Sequence, residues 1–455
     1  MVLKAVATAL RAFVDSVARK APARLAIGIF AGIVAVSTAL LQLPISTASG
    51  HRAPFVDSLF TATSAVCVTG LATVETATYW SLFGQVVIMI SIKVGGLGVM
   101  TLASILALAV SRHIGLTQRM LAATEKQSKL GDVGSLVRAV VISSIVIEMA
   151  IAAVMFPRFL TLGVGVIRSA WYAVFMAIST FNNAGLVILP EGLTPYAADG
   201  WLVFPIALGT VLGALGFPVV LDVRRHWRNP KRLTLHSKLT LSTYGILAVI
   251  GSGIVGLLEW NNPDSLGALS FKGKVLTTIL SGVNARSSGL ATVPTGGMHE
   301  ATWFLEDILM FIGGGSASTA GGIKVTTLAV MTLAIIAEAR GDKDIEAFRR
   351  RIPYDVVRLS VAVAAIGAFL VAISTVIMLA LTGLSLDRVL FEVVSAFATV
   401  GLSTGITPDL PESARYVLVA LMFAGRTGTM TMAAALAMRQ RLRVIRMPEE
   451  RPAIG

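Results

Sequence analysis

The chain has 455 residues, of which 55% are hydrophobic and 14% charged, and its mean hydropathy is +0.79. This balance excludes a soluble repeat array and marks an integral membrane protein. The formal net charge of +13 would suit a nucleic-acid binder, but the cations cluster in particular connections between apolar runs, and no nucleic-acid partner is expected.

Residues 1–23 form a charged, amphipathic start without the short apolar core and cleavage site of a secretory leader, so the segment is expected to be retained. Runs long enough to cross a bilayer, on the order of 20 residues each, follow at 24–43, 80–110, 136–157, 201–222, 237–259, 302–338, 355–381 and 414–438. Eight transmembrane helices are therefore predicted. Cations gather before the first run (Lys4, Arg11, Lys20, Arg24) and after the second (Arg112, Arg119, Lys126, Lys129). Further groups follow the fourth (Arg224, Arg225, Arg228, Lys231, Arg232, Lys238), the sixth (Arg340, Lys343, Arg349, Arg350, Arg351) and the eighth (Arg439, Arg441, Arg443, Arg446). By the positive-inside rule these connections and both tails are cytoplasmic.

Each odd-to-even connection, which the same rule places outside, carries a Ser/Thr/Phe-rich stretch closing on a Gly-Leu pair: LFTATSAVCVTGL, VFMAISTFNNAGL, TTILSGVNARSSGL and LFEVVSAFATVGL. Gly70, Gly185, Gly289 and Gly401 are about 115, 104 and 112 residues apart. Ten positions before them stand Phe60, Phe175, Ile279 and Phe391; six before stand Ser64, Ser179, Val283 and Ser395. The third copy is the most degenerate. The repeat is a helix-loop-helix module, bounded at 24–110, 111–235, 236–350 and 351–440, with a tail at 441–455. Four copies predict an all-α membrane protein with four walls around one pore.

A cation crossing a bilayer exchanges its water shell for oxygen ligands, which main-chain carbonyls supply without fixed charge. The candidate ligands are the backbones of Val68-Thr69-Gly70, Asn183-Ala184-Gly185, Ser287-Ser288-Gly289 and Thr399-Val400-Gly401. Their side chains share no identity, as expected if the backbone does the work, and glycine allows the required left-handed conformation. A half-length helix before each glycine would turn its partly negative end toward the ion. Close helix packing is the competing role for any single glycine; four in register favour the pore.

The sixth run is interrupted by Gly313, Gly314, Gly315, Ser316, Ala317, Ser318, Thr319, Ala320, Gly321 and Gly322, ending at Lys324. Each glycine there lowers helix stability by about 1 kcal/mol relative to alanine, so an unwound intramembrane loop is predicted, with a close-packed glycine face as the alternative. Arg426, inside the eighth run, cannot face lipid. Arg286 and Glu392, both near the filter glycines, are expected to pair and brace adjacent loops. Lys93 is expected to face a subunit contact or to snorkel. Cys67 reads as a packing residue, and the five histidines share no metal-ligand spacing. With no P-loop or dinucleotide fingerprint, neither an enzyme nor a nucleotide-binding chain is expected.

On these motifs the chain resembles, over nearly its whole length, the Trk/Ktr/HKT potassium transporters, and it looks closest to the KtrB-type membrane subunit. The resemblance implies four M1-P-M2 units with pseudo-fourfold symmetry, one filter glycine per loop, and K+ held at the carbonyls. Glycine rather than serine at position 70 implies K+ selectivity. The loop 313–322 with Lys324 is implied to be the gate and Arg426 its electrostatic partner, whereas a neutral residue would be expected at Lys93. The absence of two extra leading spans favours the Ktr over the Trk type, and the tail RMPEERPAIG resembles the segment that helps hold a Ktr homodimer. A cytoplasmic ring of nucleotide-binding RCK subunits, Na+ as a possible activator and a bacterial plasma membrane location are implied likewise. The rival readings are a Na+- or H+-coupled symporter on the same scaffold and a non-conducting membrane scaffold.

Overall fold

The computed structural model describes residues 22–112, 133–428 and 450. Lys4, Arg11, Lys20, His113, Arg119, Lys126, Lys129, Arg439, Arg441, Arg443 and Arg446 lie outside the described residues, as does nearly all of the tail. Single turns aside, the chain runs through α1 (Pro22–Leu41), α2 (Phe55–Cys67), α3 (Leu82–Arg112), α4 (Val133–Leu160), α5 (Val166–Phe181), α6 (Gly200–Leu215) and α7 (Phe217–His226). It continues through α8 (Leu235–Glu259), α9 (Phe271–Asn284), α10 (Glu300–Phe311), α11 (Val325–Arg340), a hairpin of β1 (Ile345–Ala347) and β2 (Arg350–Ile352), α12 (Tyr354–Thr382), α13 (Leu386–Ala398) and α14 (Glu412–Phe423). The hairpin departs from the all-α expectation.

Among the described residues, four helical segments are long and apolar enough to cross a membrane: Leu82–Leu102, Val137–Leu160, Leu235–Glu259 and Tyr354–Thr382. They fall in the predicted second, third, fifth and seventh runs. Large apolar side chains stand exposed along these helices and on α6, among them Val146, Phe204, Val249, Leu257 and Val376. A continuous exposed apolar surface of this kind needs a nonaqueous neighbour.

The fourth predicted run, 201–222, is not one straight helix. Gly216, at φ +88, bends the chain by 99° between α6 and α7. A Cβ at Gly216 would lie 2.7 Å from the Ser316 carbonyl oxygen, so only glycine fits both the backbone and its neighbour. The apolar run continued through this corner, and hydropathy carries no sign of a bend. The sixth run breaks, as predicted, between Phe311 and Val325, and the eighth passes from α14 into a π-helical turn at Ala424–Gly428.

Four short helices, α2, α5, α9 and α13, form the inner layer. Each packs on the long helix that precedes it, α1, α4, α8 and α12, and on the second helix of the preceding unit: α5 on α3, α9 on α6, α13 on α10, and α2 on α14. The last contact joins the two ends of the described chain into a ring. Asp57, in the first turn of α2, marks this seam. Its carboxylate accepts from Arg415 Nη1 at 2.9 Å and from the Thr73 hydroxyl at 2.8 Å.

Candidate ion-conduction site

The C-terminal ends of the four short helices run into the four glycine loops, and these loops touch in chain order. A Cβ at Gly70 would lie 2.7 Å from the carbonyl oxygen of Ala184. One at Gly185 would lie 2.5 Å from that of Ser288, one at Gly289 would overlap that of Val400, and one at Gly401 that of Thr69. Each glycine thus faces the carbonyl preceding the next glycine, and the circuit closes on itself. All four have positive φ: +100, +68, +59 and +96. The eight residues Val68, Thr69, Asn183, Ala184, Ser287, Ser288, Thr399 and Val400 are fully buried, while the four glycines keep partial exposure. The ring therefore has accessible backbone at its glycines and packed side chains behind them.

Backbone strain supports the same geometry. Val68 (φ +56), Asn183 (+59) and Thr399 (+48), each two residues before its glycine, adopt the left-handed conformation, which asparagine tolerates but which is rare for the β-branched Val68 and Thr399 and costs them of order 1–3 kcal/mol each. Local hydrogen bonds hold it. Gly70 N–H donates to Ser64 Oγ and Gly401 N–H to Ser395 Oγ, both at 3.0 Å. Ser179, at the equivalent place in the second loop, instead donates to the Leu186 carbonyl at 2.7 Å. The third loop departs from the others. Its helix ends earlier, at Asn284, Ser287 has no positive φ, and the Asn284 amide donates to the Leu290 carbonyl. Phe60, Phe175 and Phe391 are fully buried in register, whereas Ile279 is 41% exposed.

The interruption in the sixth run lies against this ring. Ile312 and Ile323 form a bridge that closes the loop at its base, with Gly313 N–H donating to the Ile323 carbonyl at 2.8 Å. One flank rests on the bend of the fourth run, where Gly315 N–H donates to the Ala214 carbonyl at 2.7 Å and Thr319 N–H to that of Gly213 at 3.2 Å. The other flank meets the fourth loop: a Cβ on Gly321 would strike Ala398 and Thr399. The side-chain amide of Asn183 lies 2.7 Å from the Thr319 hydroxyl, joining the second loop to the same segment. Gly314, Ala317, Ser318, Ala320 and Gly322 are also buried. Ser316 and Lys324 are half-buried, with Lys324 Nζ donating to the Ala320 carbonyl at 2.6 Å.

Arg426 sits in the π-helical turn, 2% exposed, and its Nη1 donates to the Thr319 carbonyl. Its Nε and Nη2 meet no acceptor among the described residues. The expected Arg286–Glu392 pair does not form. Arg286 Nη1 donates to the Tyr244 carbonyl at 2.5 Å and Nη2 to that of Gly282 at 3.1 Å, with the guanidinium 3.7 Å over the Tyr244 ring. Glu392 accepts from Ser403 Oγ, Thr404 N at 3.1 Å and Thr407 Oγ1 at 2.8 Å. Each charge meets dipoles within its own unit, although Arg286 Nε finds no acceptor among the described residues.

Lys93 finds its partners within the chain. Its ammonium meets Glu148 Oε2 at 2.5 Å and Ser144 Oγ at 2.7 Å on α4. Glu148 Oε1 in turn accepts from Asn182 Nδ2 at 2.8 Å, and Asn182 caps α5 next to the second loop. The partners are 55 residues apart in sequence, and a lone lysine in an apolar run could not announce them. Removing one member of such a buried pair costs about 3–5 kcal/mol. Glu148→Gln and Lys93→Met are therefore each expected to lower the melting temperature in detergent, and the double variant to recover most of the loss. Additive losses in the double variant would show that the two residues are not coupled.

The comparisons bear on the whole chain. Residues 16–442 match the family model described as TrkH, cation transport protein. The chain is 38% identical to the Ktr system potassium uptake protein B of Bacillus subtilis, covering 90% of this chain and 91% of that protein. It is 34% identical to the Ktr system potassium uptake protein B of Vibrio alginolyticus, covering 92% of each. With the potassium/sodium uptake protein NtpJ of Enterococcus hirae it shares 33% identity, over 92% of this chain and 93% of that one. The crystal structure of the potassium transporter TrkH from Vibrio parahaemolyticus has the same fold, with a TM-score of 0.71 over 90% of this chain and 84% of that chain at 15% identity. By sequence and by fold, then, the chain belongs to the TrkH family of cation transport proteins and is not an enzyme.

Proposed function

We propose that this chain is the K+-translocating membrane subunit of a Ktr-type uptake system in a bacterial plasma membrane. The observation that carries the reading is the closed circuit of four glycines, each against the next loop's carbonyl oxygen. Thr69, Ala184, Ser288 and Val400, with the residues around them, would replace the hydration shell of K+. The helix ends of α2, α5, α9 and α13 add the negative poles of their dipoles. In this reading the units form four M1-P-M2 repeats with pseudo-fourfold symmetry around one pore, and both termini are cytoplasmic. The segment from Gly313 to Lys324 obstructs the path below the ring, with Arg426 holding it through the Thr319 carbonyl.

Regulation follows from the name shared with the Ktr relatives, which denotes a system of several components. A homodimer capped by a cytoplasmic RCK-type ring, with Na+ as an activator, fits the basic connections and the resemblance. The similarity to a potassium/sodium uptake protein favours, as a second reading, coupling of K+ entry to Na+. Rb+ flux into proteoliposomes containing the purified chain separates the two. Uptake driven by a K+ gradient alone, unchanged when Na+ and H+ gradients are removed, is the expected result. Uptake that requires an inward Na+ gradient would establish the symporter, and no flux with or without a regulatory ring would refute conduction.

A further inference from the structure

Away from the ring, two basic connections converge on one pocket. Lys231 and Arg232, from the segment between α7 and α8, and Lys238, from the first turn of α8, face Phe348, Arg349 and Arg350 of the β-hairpin across about 480 Å3. None of the five cations takes part in an ion pair among the described residues; the neighbouring Arg351 instead pairs with Asp344 at 2.9 Å.

The backbone that carries these cations is held in place. Phe348 (φ +50) and Arg349 (φ +63) form the two-residue turn of the hairpin in the left-handed conformation. Two-residue hairpins favour that turn, but glycine or asparagine normally supplies it. Beneath it, Ile345 and Ile352 are buried against Leu239 of α8 and Ala329, Val330 and Ala337 of α11. Lys238 Nζ donates to the Lys231 carbonyl at 2.9 Å and lies 5.8 Å from the centre of the Phe348 ring. Five like charges around one concavity repel one another, and a bound anion relieves that repulsion. Guanidinium and ammonium groups from two sides match the several oxygens of a phosphate group.

The position of the pocket selects the source of the phosphate. It opens where two apolar helices begin, α8 at Leu235 and α12 at Tyr354. Exposed aromatic side chains surround this level: Trp227, Phe348 and Tyr354. Aromatic residues at helix ends mark the membrane interface, and basic pockets between spans at that depth suit lipid headgroups. We infer that this pocket binds the phosphate of an anionic phospholipid headgroup, clamping the hairpin to the α7–α8 connection.

The test measures binding, so it is independent of whether the chain conducts K+. The full chain in detergent is titrated with short-chain phosphatidylglycerol, phosphatidylcholine or inorganic phosphate, and its melting temperature is followed. Phosphatidylglycerol alone is expected to raise it at low concentration. In Arg349→Asn/Arg350→Gln the half-saturating concentration should rise at least tenfold, and in Arg351→Gln it should stay unchanged. Lys231→Gln/Arg232→Gln, on the opposite wall, is expected to match the first variant and serves if the hairpin variant does not fold. Equal stabilisation of wild type and both pocket variants would overturn the inference. So would stabilisation by inorganic phosphate at the same concentration, which would assign the pocket to a soluble anion, or no stabilisation by phosphatidylglycerol.

Discussion

Gly70→Ser is expected to lower the preference for K+ over Na+ at least tenfold, measured as Rb+ uptake into proteoliposomes with Na+ as competitor. The reason is steric before it is chemical. Any Cβ at this position would sit 2.7 Å from the Ala184 carbonyl oxygen and 2.9 Å from Gly185 Cα, and φ is +100. Both obstacles are backbone, which cannot rotate aside as a side chain can. The first loop must therefore retreat from the second, opening the ring on one side. A loss of about 1.4 kcal/mol in the difference between two ions is tenfold in selectivity, and a carbonyl displaced from a small cation can lose that much. Gly70→Ala should behave alike, because the hydroxyl is incidental to the clash. Gly401→Ala should act differently, since its Cβ would overlap the Thr69 carbonyl outright; the expected outcome there is poor assembly. A folded Gly70→Ser variant with unchanged flux and unchanged preference would refute the filter assignment.

Arg426→Gln is expected to raise the basal flux of the isolated chain by at least tenfold. A unit charge repels a monovalent cation by roughly 2 kcal/mol at a separation on the order of 8 Å and an effective dielectric constant of about 20, which is about thirtyfold in rate. The same substitution replaces the guanidinium that donates to the Thr319 carbonyl with a shorter, neutral amide and so weakens one contact of the interrupting loop. Both effects act in one direction. Arg426→Lys keeps the charge and loses the fork, so its flux should fall between wild type and the glutamine variant. Equal or lower flux from a correctly folded Arg426→Gln protein would assign the arginine a purely architectural role.

What the sequence disclosed followed from how local each signal is. The register of the four glycines was legible because the same local backbone problem is solved four times. Phe60, Phe175 and Phe391 mark the buried face of three short helices, and Ser64 and Ser395 cap their loops through an amide six residues on. The break at 313–324 was legible from helix propensity alone. The 99° corner at Gly216 was not, because apolar residues continue on both sides and the reason for glycine is the Ser316 carbonyl, a tertiary neighbour. The partners of Lys93, Arg286 and Glu392 were hidden for the same cause. Charge suggests that a partner exists but does not say which, and two of these three side chains meet neutral dipoles rather than an opposite charge. The hairpin at 345–352 was not legible because its strands are three residues each and three consecutive arginines run through its turn and second strand.

The seam between α14 and α2 has a consequence for the order of assembly. A ribosome delivers α2 and the first glycine loop long before α14, yet α2 packs against α14 and Asp57 finds Arg415 358 residues later. Until then the first loop, with Val68 held in its rare conformation, stands without its outer support, exposed to the lipid and the insertion machinery. The nascent chain is thus an open crescent, and it can become a barrier to ions only when its last helix enters. Chains truncated before Glu412 should insert but remain protease-sensitive at the first loop.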